Sequence, residues 1–376
     1  MISKKSPWGV LTGVRPTKKA RKLLLEGIEF KNLEKVLKKD YCLKKSKIKL
    51  LLQTVKNQDI VQNSKLVDFY VNIPICPTRC AYCSFISAEL KYVEKLLPNY
   101  LQMLAKEISA AKDIITKQSL VVRSVYIGGG TPTVLSAEQL EYLLKQLALN
   151  VSEFTVECGR PDTITKEKLE VLKKYGVTRV SINPQTFHEQ TLQKIGRRHT
   201  IKSFFEAYNL AKSLDFNINI DLIAGLEGET FKIFKHSVLQ ALDLKPENLT
   251  VHTLSIKKGS NLQGKNIQNK QVEKMVKFAY KTLSQNGYLP YYLYRQKKQL
   301  GNLENIGYSL KGKQCLFNVD SMEETVSILA CGANAISKFI DLDNNNITRI
   351  ASPKFLNDYI SRIDEIIEKK NILFNK

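Results

Sequence analysis

The segment DFYVNIPICPTRCAYCSF, Asp68 to Phe85, constrains this chain more than any other stretch. It reads as a short strand, Asp68 to Ile73, running into a loop with three cysteines. Cys76, Cys80 and Cys83 follow a C-x3-C-x2-C spacing. Soft thiolate ligands select zinc or iron–sulfur centres. Three thiolates on one tight loop can hold three corners of a cubic 4Fe–4S cluster, leaving one iron without a protein ligand. An open metal position is where substrate chemistry can occur. The competing reading is structural zinc, which takes four closed ligands, commonly two C-x2-C pairs or a pair with histidines. Here there is one triad, and the nearest histidine is His188.

From Leu66 onward, short β-rich runs alternate with amphipathic segments. The runs are Val67–Ile73, Val121–Ile127, Glu153–Val156, Val177–Asn183, Phe216–Leu222 and Leu249–Leu254. Between them, Leu97, Leu101, Leu104, Ile108 and Ile115 form one helical stripe. Ser136 with Gln139 forms a capping box ahead of Leu140, Leu143, Leu144 and Leu147. Thr165 and Thr186 are expected N-caps, and Gly176 an expected helix stop. Six β/α units in series predict an α/β fold with a parallel sheet, two short of a closed barrel. The expected architecture is a partial, open (β/α)6 TIM-like barrel over residues 67–255. A basic, mainly helical segment (1–66) precedes it, and a C-terminal α+β domain (256–376) covers its mouth. In that last part Tyr288, Tyr291, Tyr292 and Tyr294 either line a pocket for a macrocycle or are half-buried strand residues.

In parallel sheets the working residues collect at the carboxyl ends of the strands. The second run ends in GGGTP, Gly128 to Pro132, whose glycines allow close backbone approach to a ligand. Glu157 ends the third run, Gln185 follows the fourth with Arg197 twelve residues later, and Asp221 ends the fifth. A carboxylate at a strand end can accept hydrogen bonds from a ribose.

Composition narrows the class. Of 376 residues, 43% are hydrophobic and 25% charged, as in soluble globular proteins. No apolar run approaches the ~20 residues that span a bilayer, and no apolar segment follows the N-terminal lysines to make a secretory signal. Besides the triad, Cys42, Cys158, Cys315 and Cys331 are scattered without framework spacing, which predicts a reducing, cytoplasmic setting. The net charge of +22 arises from lysines spread along the chain rather than one arginine-rich patch, so a solvated basic surface is favoured over a nucleic-acid interface.

The cysteine spacing, with Tyr82 before the last cysteine, resembles the signature of radical S-adenosylmethionine (SAM) enzymes. Longer stretches resemble the oxygen-independent coproporphyrinogen III oxidase family, in its HemZ-type branch. These include WGVLTGVRP, YVNIPICPTRCAYCSF, YIGGGTPTVLS, FTVECGRPDTIT, RVSINPQTF, IGRRHT, NIDLIAGLEGET and GANAISKF. The resemblance implies a 4Fe–4S cluster on Cys76, Cys80 and Cys83, and SAM surrounded by Tyr70, Tyr82, Gly129, Gly130, Thr131, Glu157, Gln185, Arg197 and Asp221. It implies oxidative decarboxylation of two propionates of coproporphyrinogen III to vinyls, giving protoporphyrinogen IX in haem biosynthesis. It also implies a reducing electron donor such as flavodoxin or ferredoxin, and a monomer is expected. No catalytic acid or base is assigned. Two positions depart from the family's best-studied branch: Asn72 stands where that branch has histidine, and Phe85 where it has a further cysteine. Other members of the wider family bind haem as chaperones or open it, so a haem-trafficking or other tetrapyrrole-acting role is the alternative.

Overall fold

A computed structural model describes residues 6–83, 88–256 and 269–375. The helices α1 (Pro16–Leu25), α2 (Leu33–Lys39) and α3 (Lys45–Asn57) lead in. The strands β1 (Leu66–Ile73) and β2 (Ile75–Cys76) carry the chain into the cysteine loop, and β3 (Ala88–Glu89) pairs with β2. The helices α4 (Leu90–Val93) and α5 (Leu97–Lys117) follow. Then come β4 (Val121–Gly129), α6 (Ala137–Leu147), β5 (Glu153–Glu157), α7 (Lys166–Lys174) and β6 (Arg179–Ser181). The next elements are α8 (Glu189–Lys194), α9 (Ile201–Ser213), β7 (Asn217–Ala224), α10 (Phe231–Asp243) and β8 (Asn248–Thr253). The remainder holds α11 (Asn269–Gln285), β9 (Leu289–Tyr294), β10 (Asn305–Ser309), α12 (Leu316–Glu323), β11 (Ser327–Cys331), β12 (Ile336–Asp341), β13 (Asn346–Ala351), α13 (Leu356–Ser361) and α14 (Ile363–Phe374).

One eleven-stranded sheet runs β13-β12-β11-β1-β4-β5-β6-β7-β8-β10-β9. Its six central strands, β1 and β4 to β8, are parallel and in chain order, as the six β/α repeats predict for a partial barrel. β11 adds parallel to β1, and β12 and β13 continue antiparallel. β10 and β9 extend the other end antiparallel to β8. Strands from the last third of the chain thus lengthen the barrel sheet at both ends. Residues 8–21 cross between those ends. Val14 O accepts from Arg295 N at 2.7 Å, just past β9. Arg15 and Arg21 pair with Glu324 and Glu323, after and within α12, at 2.7 and 3.0 Å.

The strand period of two sorts the barrel into opposite faces. Val67, Phe69, Val71, Val125, Ile127, Val156, Val180, Ile218, Ile220 and Val251 are all buried and belong to the same apolar core as the helix stripes. The register puts Asp68, Tyr70 and Asn72 on the other face, beside Ser124, Tyr126 and Gly128. Thr155, Glu157, Ser181, Asn219, Asp221, Thr250 and His252 continue it. Closed barrels fill this inner face with Val, Ile and Leu. Here it is polar and aromatic, and α12 packs on part of it through Phe317.

Local signals explain the helix ends. Ser136 and Gln139 form the expected reciprocal capping box of α6, and Thr165 caps α7 through Lys168 N. Gly176, at φ +80°, follows the end of α7, where an L side chain would be strained. Thr186 is not an N-cap. α8 starts at Glu189, and the Thr186 hydroxyl instead donates to Glu229 Oε1 at 2.5 Å inside the protein. Its buried hydroxyl serves the Glu229 carboxyl because Phe187 and His188 intervene before the helix.

Candidate functional site

The cysteine loop is held from two sides. On one side it is zipped to the glycine-rich turn after β4: Gly130 N donates to Ile73 O at 2.9 Å and Thr131 N to Ile75 O at 2.8 Å. The glycines serve this closeness. A Cβ on Gly130 would stand 2.5 Å from Ile75 O, and one on Gly129, at φ +105°, would stand 2.0 Å from Asn72 Oδ1. At these two positions the missing side chain makes way for neighbouring protein. Thr131 Oγ1 reaches Cys76 Sγ at 3.5 Å.

On the other side stand two guanidiniums. Arg160 is clamped by both oxygens of Asp162 at 2.9 and 2.8 Å, and points Nη1 at Thr78 O, at 3.2 Å, and at Cys80 Sγ, at 3.9 Å. Arg197 donates from Nη1 to Tyr82 OH at 2.9 Å and from Nη2 to Gly159 O and Asn183 O. Ala81 N donates to Ile195 O at 3.0 Å, and Cys83 N to Cys80 O at 3.0 Å. Positive charge thus lies where a set of metal-bound thiolates would be negative. Phe85 lies outside the described residues.

Inside the mouth, Glu157 accepts from Tyr126 OH at 2.7 Å and Gly129 N at 3.2 Å. Burial pushes its carboxyl up to about 7, and the nearby charge of Asp221 adds to this. Burial also opposes the charge on Asp221. Hydrogen bonds from His252, Asn219 and Thr250 outweigh it and hold that carboxyl below its ordinary value. His252 Nε2 lies 3.5 Å from Asp221 Oδ2, and its Nδ1 3.4 Å from Tyr294 OH. Asn183 joins the two groups: its carbonyl accepts from Arg197 and its side chain accepts from Asp221 N at 3.1 Å. Gln185 sits at φ +66°, its backbone laddered to Asp221 O and Ile223 N, and its side-chain oxygen is buried without a partner. Tyr70 donates to Asn72 Oδ1 at 2.8 Å, and Asn72 also donates to Ala333 O and accepts from Tyr100 OH. Asn72 is thus fully engaged in bracing β1 against the loop after β11.

A family model of the radical SAM superfamily matches residues 70–241. The chain is 41% identical over 380 residues to the oxygen-independent coproporphyrinogen-III oxidase-like protein HemZ of Bacillus subtilis (strain 168), across 96% of this chain and 76% of that protein. The chain belongs to the HemZ-type family of radical SAM proteins. It is also 28% identical to the heme chaperone HemW of Haemophilus influenzae, over 81% of this chain and 78% of that one. Among solved structures, coproporphyrinogen III oxidase (HemN) from Escherichia coli, a radical SAM enzyme, shares the fold. Its TM-score is 0.61 at 21% identity, over 83% of this chain and 72% of that chain.

The residues present fit the groups a radical SAM protein implies. The donor set is three thiols on one loop with two arginines beside it. Among the described residues no three His, Cys, Asp or Glu side chains converge closely enough to share one metal ion. Cubane thiolates bind separate irons, so they stand further apart than the ligands of a single ion. The mouth offers a half-buried carboxylate, Glu157, with no ion-pair partner among the described residues, and the orphaned oxygen of Gln185. Sequence reasoning missed Arg160, although it stands in the matched segment FTVECGRPDTIT. It also missed His252, and Phe317 of α12, whose ring stacks on Tyr126 at 4.5 Å and Tyr70 at 5.5 Å. Nothing local in the sequence marks an aromatic of α12 as facing β1 and β4.

Proposed function

We propose that the protein is an oxygen-independent coproporphyrinogen III dehydrogenase. From each of two propionates it removes CO2, a hydrogen atom, which would pass to the SAM-derived radical to give 5′-deoxyadenosine, and one electron, which would pass to a one-electron acceptor, leaving vinyls. In this reading residues 67–255 are the radical SAM barrel and residues 256–376 cover the substrate. Cys76, Cys80 and Cys83 hold the cluster. Tyr70, Tyr82, Gly129, Gly130, Thr131, Glu157, Gln185, Arg197 and Asp221 surround SAM. When bound, cluster and SAM together supply a carbon-centred radical that takes hydrogen from an unactivated carbon.

The chain's own residues do the positioning. Arg160 and Thr131 would steady the sulfur ligands, Glu157 would accept from a donor of bound SAM, and Asp221, held below its ordinary value by hydrogen bonds from His252 and Asn219, would receive hydroxyl donors. The observation that carries the reading is the 41% identity along nearly the whole chain to a protein named for this oxidase. The proposal places the protein in the cytoplasm with a flavodoxin- or ferredoxin-like donor. No helix among the described residues is long and apolar enough to cross a membrane.

The test is an anaerobic assay of iron-reconstituted protein with SAM, a strong reductant and coproporphyrinogen III. Protoporphyrinogen is expected with matched 5′-deoxyadenosine, and none of either from Cys80→Ala. A second reading is favoured by the likeness to HemW: haem binding and delivery on the same barrel. Stoichiometric haem binding without porphyrinogen turnover would select it.

A further inference from the structure

The open end of the sheet holds an unbalanced cluster of charge. Glu324, just past α12, has its side chain 3% exposed. Four cations share it: Arg15 at 2.7 Å, Lys18 at 2.6 Å, Arg349 at 2.8 Å and Lys338 at 3.5 Å. The neighbouring acids do not help. Glu323 is taken by Arg21 and Gln58, and Asp320 by Arg123. One carboxylate therefore faces four positive charges. Burial, with the charge of Arg15 next in weight, lowers Lys338 to about 8. Like charges held together at a partly buried place favour a second anion.

Strand register fixes which way this cluster faces. Asp68 pairs with Ile328, Ile328 with Lys338, and Lys338 with Arg349, so all four lie on the inner face of the barrel sheet. Lys338 is two strands, or ~10 Å, from β1. One step nearer the mouth on the same face, Ile336 stands opposite Ala351 and is 45% exposed. Behind it Ile328, Ala330 and Ala335 are buried, packed with Tyr70 and Phe317. Arg15 and Lys18 arrive from the segment that crosses between the sheet's ends. A ligand seated here meets the exposed Ile336 side chain on one side and surplus cations at its edge.

We propose that Arg15, Lys18, Lys338 and Arg349 form a subsite for a carboxylate carried at the rim of a flat apolar ring, with Glu324 holding them together until that carboxylate arrives. It rests on the tetrapyrrole reading above and names the residues that take the ring's propionates.

The test titrates full-length protein with coproporphyrin III, the air-stable oxidised form of the proposed substrate, and with its uncharged tetramethyl ester, by fluorescence. Lys338→Met/Arg349→Gln is expected to weaken coproporphyrin binding roughly tenfold, the worth of a charge-assisted contact or two, and to leave the ester within about twofold. Glu324→Gln frees the cations and is expected to tighten coproporphyrin binding, the opposite of what a purely structural carboxylate would do. An unchanged affinity in the double variant, or a weaker one in Glu324→Gln, overturns the subsite. If the double variant does not fold, Lys18→Ala on α1 replaces it, and an unchanged affinity there overturns the subsite equally. Wild-type protein that binds neither coproporphyrin nor haem overturns the tetrapyrrole reading, and the subsite with it.

Discussion

Glu157, half-buried, and Glu324, buried, are glutamates on the concave side of one sheet, and their surroundings push them in opposite directions. Among the described residues Glu157 has a tyrosine and a backbone amide for partners, and burial raises it to about 7. Burial also works against the charge on Glu324, but the bonds from Lys18 and Arg349, with the charge of Arg15, bring it down to about 2. A third carboxylate, Glu107, shows what balance looks like. It sits against Lys370 in a buried pair, accepts from Tyr359 OH and Gly332 N, and ties α5, α14 and the loop after β11 together. The balanced pair is architecture. The two unbalanced sites differ in sign: one carboxyl has no cation paired with it among the described residues, and the other has four.

The largest effect should come from breaking the balanced pair. Lys370→Met strands the Glu107 charge in the core and is expected to cost about 3–5 kcal/mol, read as a large fall in Tm. If Lys370→Met left Tm unchanged, the contrast between balanced and unbalanced sites would lose its reference. Smaller, and of opposite sign, is Glu157→Gln. The folded pKa of Glu157 lies above its ordinary 4.5. Its contribution to stability is therefore fully present below about pH 4.5 and is lost as pH rises through about 7. At pH 8 the ligand-free variant should be more stable than wild type, by at most ~3 kcal/mol. Glu229, also pushed up to about 7 by burial, titrates in the same window and should keep part of the pH dependence in the variant. A variant no more stable at pH 8 than wild type would mean that Glu157 is already satisfied. The smallest effect is expected from Arg349→Gln, whose side chain is 46% exposed, at under about 1 kcal/mol of unfolding free energy by denaturant titration.

Much of this was legible in the chain. Period-two runs alternating with helical stripes predict the six parallel strands in order, and strand ends predict that Glu157, Gln185 and Asp221 gather near the cysteine loop. What was not legible depends on long-range pairing. That Lys338 and Arg349 face inward follows from the register of β12 and β13 against β11, which no local pattern reveals. Arg15 reads equally well as a ligand for any acid. Only the fold brings it to Glu324, more than 300 residues away. Thr186 looked like a cap because its sequence context is that of one, while its partner, Glu229, lies 43 residues on.

The most direct test of the contrast measures the affinity for SAM and for coproporphyrin III in cluster-reconstituted Glu157→Gln and Glu324→Gln. Opposite responses are predicted: the first variant loses SAM affinity and keeps that for the porphyrin, and the second binds the porphyrin more tightly and keeps SAM. Both variants weakening both ligands alike would contradict the account, and would make the two glutamates structural residues of the same kind as Glu107.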